Sequence, residues 1–506
     1  MSWSRAYACC SSPLDMLLIF FLVCIIYVSA TNKPNIVLIL TDDQDISSIY
    51  SMPKTQKLIA DVGASFVNSF CSTPICCPSR SSILTGQYLH NHGVFNNSRS
   101  GGCYSAHWRT IKEPLAFPVY LQSAGYKTFY AGKYLNQYGS AHKTKNPIPP
   151  GWDVWYGLIG NSKYYDYSLV INGKIKHFKN DYFTSVIESS GIEFLQSVGM
   201  KKEKFLMVLA TSAPHDPFTP ESKYKGRFNG TKAPRTPNFN TFTKDKHWLL
   251  RLGDVPLPDS MVDTIDTIHA RRLETLLSVD DMVEKVVLEL KKFNLVEETV
   301  IIFTSDNGYH LGQFSLPWDK RQPYEFDIRV PLFIRGPSIK PKSVIYSPVV
   351  NIDLAPTILD LAGISTPDSM DGSSWLPLLK KTASNKISPR TFLVEYHGEG
   401  NRKSIDEKCG LKDPNLKECR VRNDCKCQDA RNNTYFCLRS ISETDDLSYC
   451  EFQDSENFIE YYDLKTDQYQ LNNLRHSLSS SLQNKYSSRL KILQHCSGPI
   501  CNELQV

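Results

Sequence analysis

Three short, uninterrupted apolar runs constrain the fold of this chain more than any other feature. They cover residues 35–40 (NIVLIL), 205–210 (FLMVLA) and 299–303 (TVIIF), and polar residues follow each run directly. Runs of this kind are typical of strands that are covered on both faces, as in parallel sheets. In open α/β sheets the ligand site lies at the carboxyl ends of the strands. We therefore predict one mainly parallel sheet, with the three polar clusters close together at one edge.

The clusters after the first and third runs contain oxygen-bearing side chains. Asp42 and Asp43 follow the first run, and Asp306 and Asn307 follow the third. Adjacent carboxylates repel each other unless a cation neutralises them, and oxygen-only ligands suit Ca²⁺ or Mg²⁺. The alternative is that these residues only form turns, which is common for Asp after a strand. Either pair alone favours the turn interpretation.

Helical patterns lie between and after the runs. Residues 270–293 and 353–361 carry apolar residues at helical spacing, and Gly363 follows the second as a stop signal. Strands that alternate with helices predict an α/β class with helices on both faces of the sheet. A chain of 506 residues is too long for one simple core, so we also expect a smaller second domain.

The composition changes after about residue 380, where a polar, cysteine-rich region begins. It contains a possible strand at 391–395 and a helix-like stretch at 479–494. We predict a catalytic domain at 31–385 and a smaller, disulfide-braced α+β domain at 386–506. Eight cysteines fall in this last region and are expected to form disulfides in an oxidising compartment: Cys409, Cys419, Cys425, Cys427, Cys437, Cys450, Cys496 and Cys501.

The amino terminus has the pattern of a secretory signal peptide. Arg5 precedes an apolar run that small residues end at 28–30, so we predict a signal peptide at 1–30 and a mature chain from Thr31. A membrane anchor is the alternative, but the run is shorter than the roughly 20 apolar residues that a span needs. No later segment is long and apolar enough, so no transmembrane segment is expected after signal removal. Sequons at Asn96, Asn229 and Asn432 fit a secreted glycoprotein.

The net charge of +5 is small for this length and is weak evidence for a polyanionic partner. Charge alone favours a mildly basic globular protein, and we expect no nucleic-acid partner.

One motif is far more specific than the features above. Residues 76–86 read Cys-Cys-Pro-Ser-Arg-Ser-Ser-Ile-Leu-Thr-Gly, which matches the sulfatase signature C-x-P-S-R-x-x-x-L-T-G at every fixed position. The alternative is an ordinary disulfide cysteine in a Ser-rich loop. The chain thus resembles the sulfatase family, whose members have an alkaline-phosphatase-like fold with a large, mixed, mainly parallel sheet. In that family the first cysteine of the motif, here Cys76, is oxidised to formylglycine (3-oxoalanine) by a formylglycine-generating enzyme.

The resemblance also implies roles for other residues. Formylglycine hydrate carries two hydroxyls on one carbon, so one can attack sulfur and the other can later expel sulfate. The family's acid corresponds to His215, in Ala-Pro-His-Asp-Pro after the second run. The segments around Lys133 (Ala-Gly-Lys) and Lys320 (Lys-x-x-x-Tyr-Glu, residues 320–325) resemble family segments whose cations, with Arg80, surround the sulfate. One Ca²⁺ ion is implied, with ligands from Asp42, Asp43, Cys76, Asp306 and Asn307.

The chain departs from many arylsulfatases at one position. Leu135 stands two residues after Lys133, where those enzymes carry a histidine. This departure leaves open which group deprotonates the formylglycine hydrate. We predict His310 for that role, with His90 and His92 as weaker candidates.

Several segments resemble the N-acetylglucosamine-6-sulfatase branch of the family, including 309–315, 394–400, 432–435, 449–452 and 496–499. That branch removes 6-sulfate from N-acetylglucosamine in heparan sulfate and keratan sulfate, uses Ca²⁺ and lies in the lysosome. The resemblance implies a sulfated glycosaminoglycan substrate and a lysosomal destination, with secretion as the alternative.

Three other functions stay open at this point. An extracellular heparan 6-O-endosulfatase shares the double-cysteine motif, but it adds a long basic insert that is absent here. A non-catalytic glycan-binding relative would keep Cys76 as a thiol. A phosphodiesterase of the same broader fold would normally use Ser or Thr as its nucleophile. Conversion of Cys76 leaves eleven mature cysteines, so at least one lacks an internal partner.

Overall fold

The computed structural model describes residues 33–140, 147–242, 244–252, 256–380 and 386–503. The predicted signal peptide at 1–30 lies outside these residues. The strands of the described part are β1 (Asn35–Thr41), β2 (Ala64–Phe66), β3 (Ser69–Phe70), β4 (Lys127–Gly132), β5 (Val154–Leu158), β6 (Tyr167–Ile171), β7 (Lys174–Phe178), β8 (Phe205–Ala210), β9 (Thr299–Ser305), β10 (His310–Leu311), β11 (Trp318–Asp319), β12 (Leu332–Arg335), β13 (Ser343–Ile345), β14 (Val349–Val350), β15 (Arg390–Tyr396), β16 (Leu416–Cys419), β17 (Cys427–Ala430), β18 (Tyr435–Ile441), β19 (Asp446–Phe452) and β20 (Ile459–Asp463).

The longer helices are α1 (Cys76–Thr85), α2 (Phe117–Ser123), α3 (Phe183–Lys201), α4 (Asp259–Lys292), α5 (Leu354–Leu361) and α6 (Ser480–Leu493). Shorter helical segments lie at Pro53–Thr55, Leu89–His92, Trp248–Arg251, Glu325–Ile328, Leu376–Lys380 and Ile500–Glu503. Helix α4 begins earlier than the 270–293 pattern predicts, and α5 and α6 lie within the predicted segments.

A ten-stranded sheet forms the centre of the molecule, in the order β13-β2-β12-β9-β1-β8-β4-β5-β6-β7. Strands β9, β1, β8, β4 and β5 are parallel to one another, and antiparallel strands flank them. The three apolar runs of the sequence are therefore adjacent strands, with β1 between β8 and β9. The predicted α/β class with a large, mainly parallel sheet is confirmed.

Helices cover both faces of this sheet, as the continuous apolar strands require. Ile36 and Leu38 of β1 pack with α1, α2 and α5, whereas Val37 and Ile39 pack with α3 and α4 on the opposite face. All four side chains are essentially fully buried. Burial on both faces explains why β1 shows no alternation of polar and apolar residues.

The cysteine-rich region forms a four-stranded antiparallel sheet, β15-β18-β19-β20, and a separate β16-β17 hairpin. Helix α6 packs on this sheet, and the core between them extends to Phe70, Tyr88 and Val350 of the preceding region. The two regions thus share apolar contacts. The boundary at 385/386 stays a prediction.

Disulfides brace the carboxyl-terminal region, as predicted. The pairs there are Cys409–Cys425, Cys419–Cys427, Cys437–Cys450 and Cys496–Cys501. A fifth bridge joins Cys77 to Cys103. Among the described cysteines, Cys71 and Cys76 are unpaired, which accounts for the odd cysteine that the count of eleven requires.

Among the residues that the structure describes, no helix combines the length and the apolar character needed to cross a membrane. Of the three sequon residues, Asn229 is exposed, and Asn96 and Asn432 are half-buried. Their glycosylation stays a prediction.

Candidate active site

The carboxyl ends of four adjacent parallel strands carry the candidate catalytic residues. Asp42 and Asp43 follow β1, Lys133 follows β4, and His215 lies beyond the end of β8. Asp306 follows β9, and its Oδ1 accepts a hydrogen bond from the backbone N–H of Asp43 at 3.0 Å. Parallel strands end at the same edge, so residues far apart in sequence meet there.

Cys76 is the first residue of helix α1 and is completely buried. Its Sγ lies 3.6 Å from Oδ1 of Asp43. The neighbouring Cys77 is held in the disulfide with Cys103, so Cys76 is the thiol of the pair that faces the carboxylates. Burial raises the pKa of the Cys76 thiol far above its ordinary value, more than Lys133 and Lys320 lower it. The unmodified thiol is therefore neutral and a poor nucleophile.

Four side chains form a buried cluster that can hold a metal ion. Ligand atoms of Asp42, Asp43, Cys76 and His215 all lie within 4.8 Å of one another. Oδ1 of Asp42 and Oδ1 of Asn307 are buried, and within the described part of the chain neither accepts a hydrogen bond. Buried oxygens without donors are costly, and a hard cation would satisfy them. The residues present thus fit a metal ion.

Asp306 and Asn307 complete this group of oxygens. The Nδ2 group of Asn307 donates to Oδ1 of Asp43 at 2.8 Å. The pKa of Asp306 is raised to about 7, mainly by burial. The attraction of Arg80 lowers this pKa, whereas repulsion by Asp42 and Asp43 raises it. Mutual repulsion of three buried carboxylates is a further reason to expect a cation among them.

Three cationic side chains surround the carboxylates and are themselves almost fully buried. Lys133 Nζ lies 2.7 Å from Asp42, Lys320 Nζ lies 2.5 Å from Asp43, and Arg80 Nε lies 2.7 Å from Asp306. Burial alone would raise the pKa of Asp42, but the charges of Lys133, Arg80 and Lys320 oppose it, and that pKa lies well below its ordinary value. The carboxylate of Asp42 is therefore ionised.

His215 presents one ring nitrogen to the site. Nδ1 lies 2.5 Å from the backbone oxygen of Asp216, and Nε2 lies 3.7 Å from Oδ2 of Asp43. Burial lowers the pKa of His215, and the charge of Lys320 lowers it further. A neutral ring that donates through Nδ1 leaves Nε2 directed at the cluster.

His310 contacts a different carboxylate. Its Nδ1 is 3.0 Å from both carboxylate oxygens of Asp327, and its strand β10 pairs with β11 beside Lys320. It is not one of the four clustered metal-ligand candidates. His90 and His92 lie in the short helix after the motif; His92 is fully buried and bonds Ser82, and His90 contacts Glu395.

Two residues that contact the site, Ser162 and Arg272, were not predicted from the sequence. Ser162 donates to Oδ2 of Asp42 at 2.5 Å, and Arg272 of α4 donates to the backbone oxygen of Asp43 at 2.8 Å and to Asp45 at 2.7 Å. Arg272 interrupts the apolar face of α4, and a charge at such a position is a detectable signal of a buried ion pair. Ser162 lies in a loop and carries no such signal.

A cavity of about 310 Å³ opens onto the cluster. Asp43, His215 and Lys320 line one side of it. Residues of the β16-β17 region, including Arg420 and Gln428, line another. The cysteine-rich region thus contributes a wall of the same cavity that exposes the strand-end residues.

Comparison with known proteins agrees with this geometry. Residues 34–364 match the family model described as Sulfatase. The chain belongs to the sulfatase family. Residues 312–430 of this sulfatase also match a model described as N-sulphoglucosamine sulphohydrolase, C-terminal. The predicted family is confirmed, and so is the assignment as a sulfuric ester hydrolase.

Two curated relatives are similar over most of this sulfatase. An N-acetylglucosamine-6-sulfatase of Capra hircus is 47% identical over 485 residues, which is 94% of this chain and 86% of the relative. An extracellular sulfatase SULF-1 homolog of Drosophila melanogaster is 44% identical over 377 residues, which is 72% of this chain and 33% of that protein. With the disulfides, these relatives indicate a protein of the secretory pathway.

A solved structure supports the fold. It holds a protein in complex with its substrate, D-glucosamine-2-N,6-O-disulfate, and it superposes with a TM-score of 0.72 at 24% identity. The match covers 91% of this chain and 97% of that chain. At this identity it is evidence for the fold alone.

Proposed function

We propose that this sulfatase hydrolyses the 6-sulfate ester of N-acetylglucosamine 6-sulfate units in heparan sulfate and keratan sulfate. The observation that carries the proposal is the 47% identity to the Capra hircus N-acetylglucosamine-6-sulfatase, which extends over 94% of this chain. A lysosomal destination belongs to the same proposal.

Residue 76 is the nucleophile of the proposed reaction. A neutral, buried thiol is unsuited to attack on sulfur, which explains why the proposal needs Cys76 to be oxidised to formylglycine by a formylglycine-generating enzyme. In that form the residue supplies a hydroxyl that attacks sulfur while the sugar oxygen leaves. The disulfide of Cys77 keeps the second cysteine out of this chemistry.

One Ca²⁺ ion is proposed among Asp42, Asp43, Asp306, Asn307 and residue 76. Its charge would neutralise the carboxylates and stabilise negative charge that develops on the reacting oxygens. The two oxygens without hydrogen-bond donors, on Asp42 and Asn307, support this placement. An all-oxygen set from Asp and Asn side chains suits Ca²⁺ better than a softer metal.

Lys133, Lys320 and Arg80 are proposed to bind the sulfate oxygens. Each pairs with a site carboxylate in the structure, so a cation bound to those carboxylates would leave these side chains available for an anionic substrate. His215 is proposed to act as the acid in its imidazolium form: the carbonyl of Asp216 accepts from Nδ1–H, and the second proton, on Nε2, passes to the leaving sugar oxygen.

The proposed base for the second hydroxyl is His310. The Asp327 carboxylate at 3.0 Å from Nδ1 orients this ring. Because His310 lies outside the four-residue cluster, a proton from the hydrate would reach it through a water or through Lys320.

Extracellular endosulfatase action is the second candidate. The 44% identity to the SULF-1 homolog favours it, although the match includes only 33% of that protein. The two candidates differ in whether sulfate is released from the interior of an intact chain or only from its end.

The decisive experiment is mass spectrometry of the peptide that contains residue 76, together with sulfate release from 6-sulfated N-acetylglucosamine. We expect an aldehyde at residue 76 and turnover in the wild type. Cys76→Ala should abolish turnover while secretion stays normal. The control is Cys71→Ala, because Cys71 is the other unpaired, buried cysteine among the described residues and should be dispensable for turnover.

An intact thiol at residue 76 in the active protein, or normal turnover by Cys76→Ala, would contradict the mechanism. The same assay on terminal sugars and on intact heparan chains separates the two candidate functions. Release from chain interiors would favour the endosulfatase.

A further inference from the structure

The loop between β16 and β17 forms one wall of the active-site cavity and is unusually constrained. Cys419–Cys427 joins the two strands, and Cys409–Cys425 ties the loop to the preceding segment. Within the loop, the backbone oxygen of Arg420 accepts hydrogen bonds from Asn423 at 2.9 Å and from Cys425 at 3.0 Å. A side chain on such a loop is positioned before any ligand binds, which lowers the entropic cost of binding.

Five cationic side chains line the cavity, and four of them are neutralised. Lys320 pairs with Asp43, Arg321 with Asp319, Lys417 with Glu399, and Arg422 with Asp216. The fifth, Arg420, makes no ion pair with any described residue. Its charge contributes to the lowered pKa of Glu418, but the two groups are not within ion-pairing distance.

The Arg420 guanidinium also lacks a hydrogen-bond partner where one is expected. Its Nε is buried and, among the described residues, has no acceptor. A buried donor without an acceptor is costly, and Arg420 lines the cavity from which a ligand could reach its guanidinium. A guanidinium in this state suits a planar or tetrahedral anion that accepts two parallel hydrogen bonds.

We propose that Arg420 is a specificity-determining residue that binds the carboxylate of the sugar next to the sulfated N-acetylglucosamine. The proposal rests on the proposed function and adds a second anion subsite to it. Lys133, Lys320 and Arg80 already surround the strand-end cluster where the ester sulfate is proposed to bind. Arg420 approaches from the β16-β17 wall, so its anion is a different group of the substrate.

The chemistry of the two proposed substrates makes the subsite selective. In heparan sulfate the neighbouring sugar is a uronic acid, which carries a carboxylate, whereas in keratan sulfate it is galactose. Arg420 should therefore favour the uronic-acid neighbour and contribute nothing to an unsulfated galactose neighbour.

The test compares three substrates: N-acetylglucosamine 6-sulfate alone, its disaccharide with a reducing-side uronic acid, and its disaccharide with galactose. For Arg420→Gln we expect KM on the uronic-acid disaccharide to rise about tenfold, the effect of losing roughly one charge-assisted hydrogen bond. KM on the other two substrates and kcat on all three should not change. Arg420→Lys should restore part of the difference, and added salt should weaken the wild-type preference.

The matched control is Arg402→Gln, an exposed arginine of the same region that does not line the cavity. It should leave all three KM values unchanged. Equal KM for Arg420→Gln and wild type on the uronic-acid disaccharide would overturn the subsite, as would an equal KM rise on all three substrates. Failure of the proposed function is distinguishable, because the wild type would then release sulfate from none of the three.

Discussion

Asp43 organises more of the active site than any other single residue. Its Oδ2 faces Lys320 and His215, and its Oδ1 faces Asn307 and Cys76. Its backbone lies in the left-handed region at φ 62°, which Asp tolerates better than most residues. This one side chain therefore links the metal-ligand candidates to Lys320, one of the cations proposed to bind sulfate.

Asp43→Asn tests this at the residue scale. The variant keeps the shape of the side chain but removes one negative charge from the proposed ligand set, so we expect bound metal to fall from about one ion per chain to a small fraction. Chelation should lower the melting temperature of the wild type much more than that of the variant, because only the wild type has bound metal to lose. Elemental analysis and thermal unfolding measure both effects.

The control for Asp43→Asn is Asp281→Asn. Asp281 also pairs with two lysines, Lys54 and Lys223, but it lies away from the cluster. It should retain metal and the response to chelation. Metal content in Asp43→Asn equal to that of the wild type would count against Asp43 as a ligand.

At this scale, the sequence predicts residues whose chemistry is tied to a recognisable pattern. Cys76 and Arg80 belong to the eleven-residue motif, and Lys133 belongs to a recognisable family segment. Ser162 and Arg272 could not be predicted in the same way. Their roles depend on a loop and a helix that approach Asp42 and Asp43 only in the folded chain.

Among the elements, the parallel pair β4-β8 positions Lys133 at the site. Gly132 ends β4 opposite Ala210, with φ at 127°, and the backbone N–H of Lys133 donates to the oxygen of Ala210 at 2.9 Å. A Cβ at residue 132 would lie 1.8 Å from that same oxygen. The close approach is possible only for glycine, and it turns Lys133 toward Asp42.

Gly132→Ala should therefore separate β4 from β8 at their carboxyl ends. We expect a loss of unfolding free energy of about 2–4 kcal/mol, from strain and a backbone clash, and a drop in kcat because Lys133 moves. Urea unfolding and turnover measure the two effects.

Gly125→Ala is the matched control for this element. Gly125 also has a positive φ, at 88°, but nothing lies within 4 Å of its added Cβ. It should show the conformational cost of about 1 kcal/mol without the clash and without the loss of turnover. Similar effects of the two substitutions would mean that the contact with Ala210 does not position Lys133.

The strands were easier to predict than the helix ends. Runs such as 35–40 are apolar without interruption because both sheet faces are covered, and this leaves a clear pattern. Helix α4 begins at Asp259 rather than near residue 270 because its first turns bury only a narrow stripe, with Met261, Ile265 and Ile268 among polar residues. A stripe that narrow is hard to distinguish from a loop.

For the molecule as a whole, the contact between the catalytic region and the carboxyl-terminal region includes a titratable group. His90 follows the motif helix, and its Nδ1 lies 2.9 Å from Oε1 of Glu395 in β15. Its Nε2 lies 2.9 Å from the backbone oxygen of Cys496. Both partners are acceptors, so only the protonated imidazolium can donate both hydrogen bonds.

The sequence could not predict this contact, since the disulfide pairing that places Cys496 is not encoded in the positions of the cysteines.

This contact predicts a stability that depends on pH. Burial alone would lower the pKa of His90. The hydrogen bond and charge of Glu395 outweigh burial, and the charge of Asp371 raises the pKa further, so the pKa of His90 is raised overall. A raised folded-state pKa means that the stabilisation is complete below the unfolded pKa, near 6.5, and is lost as pH rises through the folded value. His90→Gln should therefore destabilise the protein by about 1.5–3 kcal/mol at pH 5 and by much less at pH 9.

Urea unfolding of wild type and His90→Gln across this pH range measures the difference. The control is His107→Gln, because the His107 side chain is exposed. Glu395→Gln should also lose stability at pH 5, because it removes the negative charge that stabilises the imidazolium, although the amide oxygen can still accept a hydrogen bond. A constant difference between wild type and His90→Gln at all pH values would mean that the imidazolium is not the stabilising form. If the expected trend holds, the contact between the two regions is strongest in acid, which would agree with the proposed lysosomal destination.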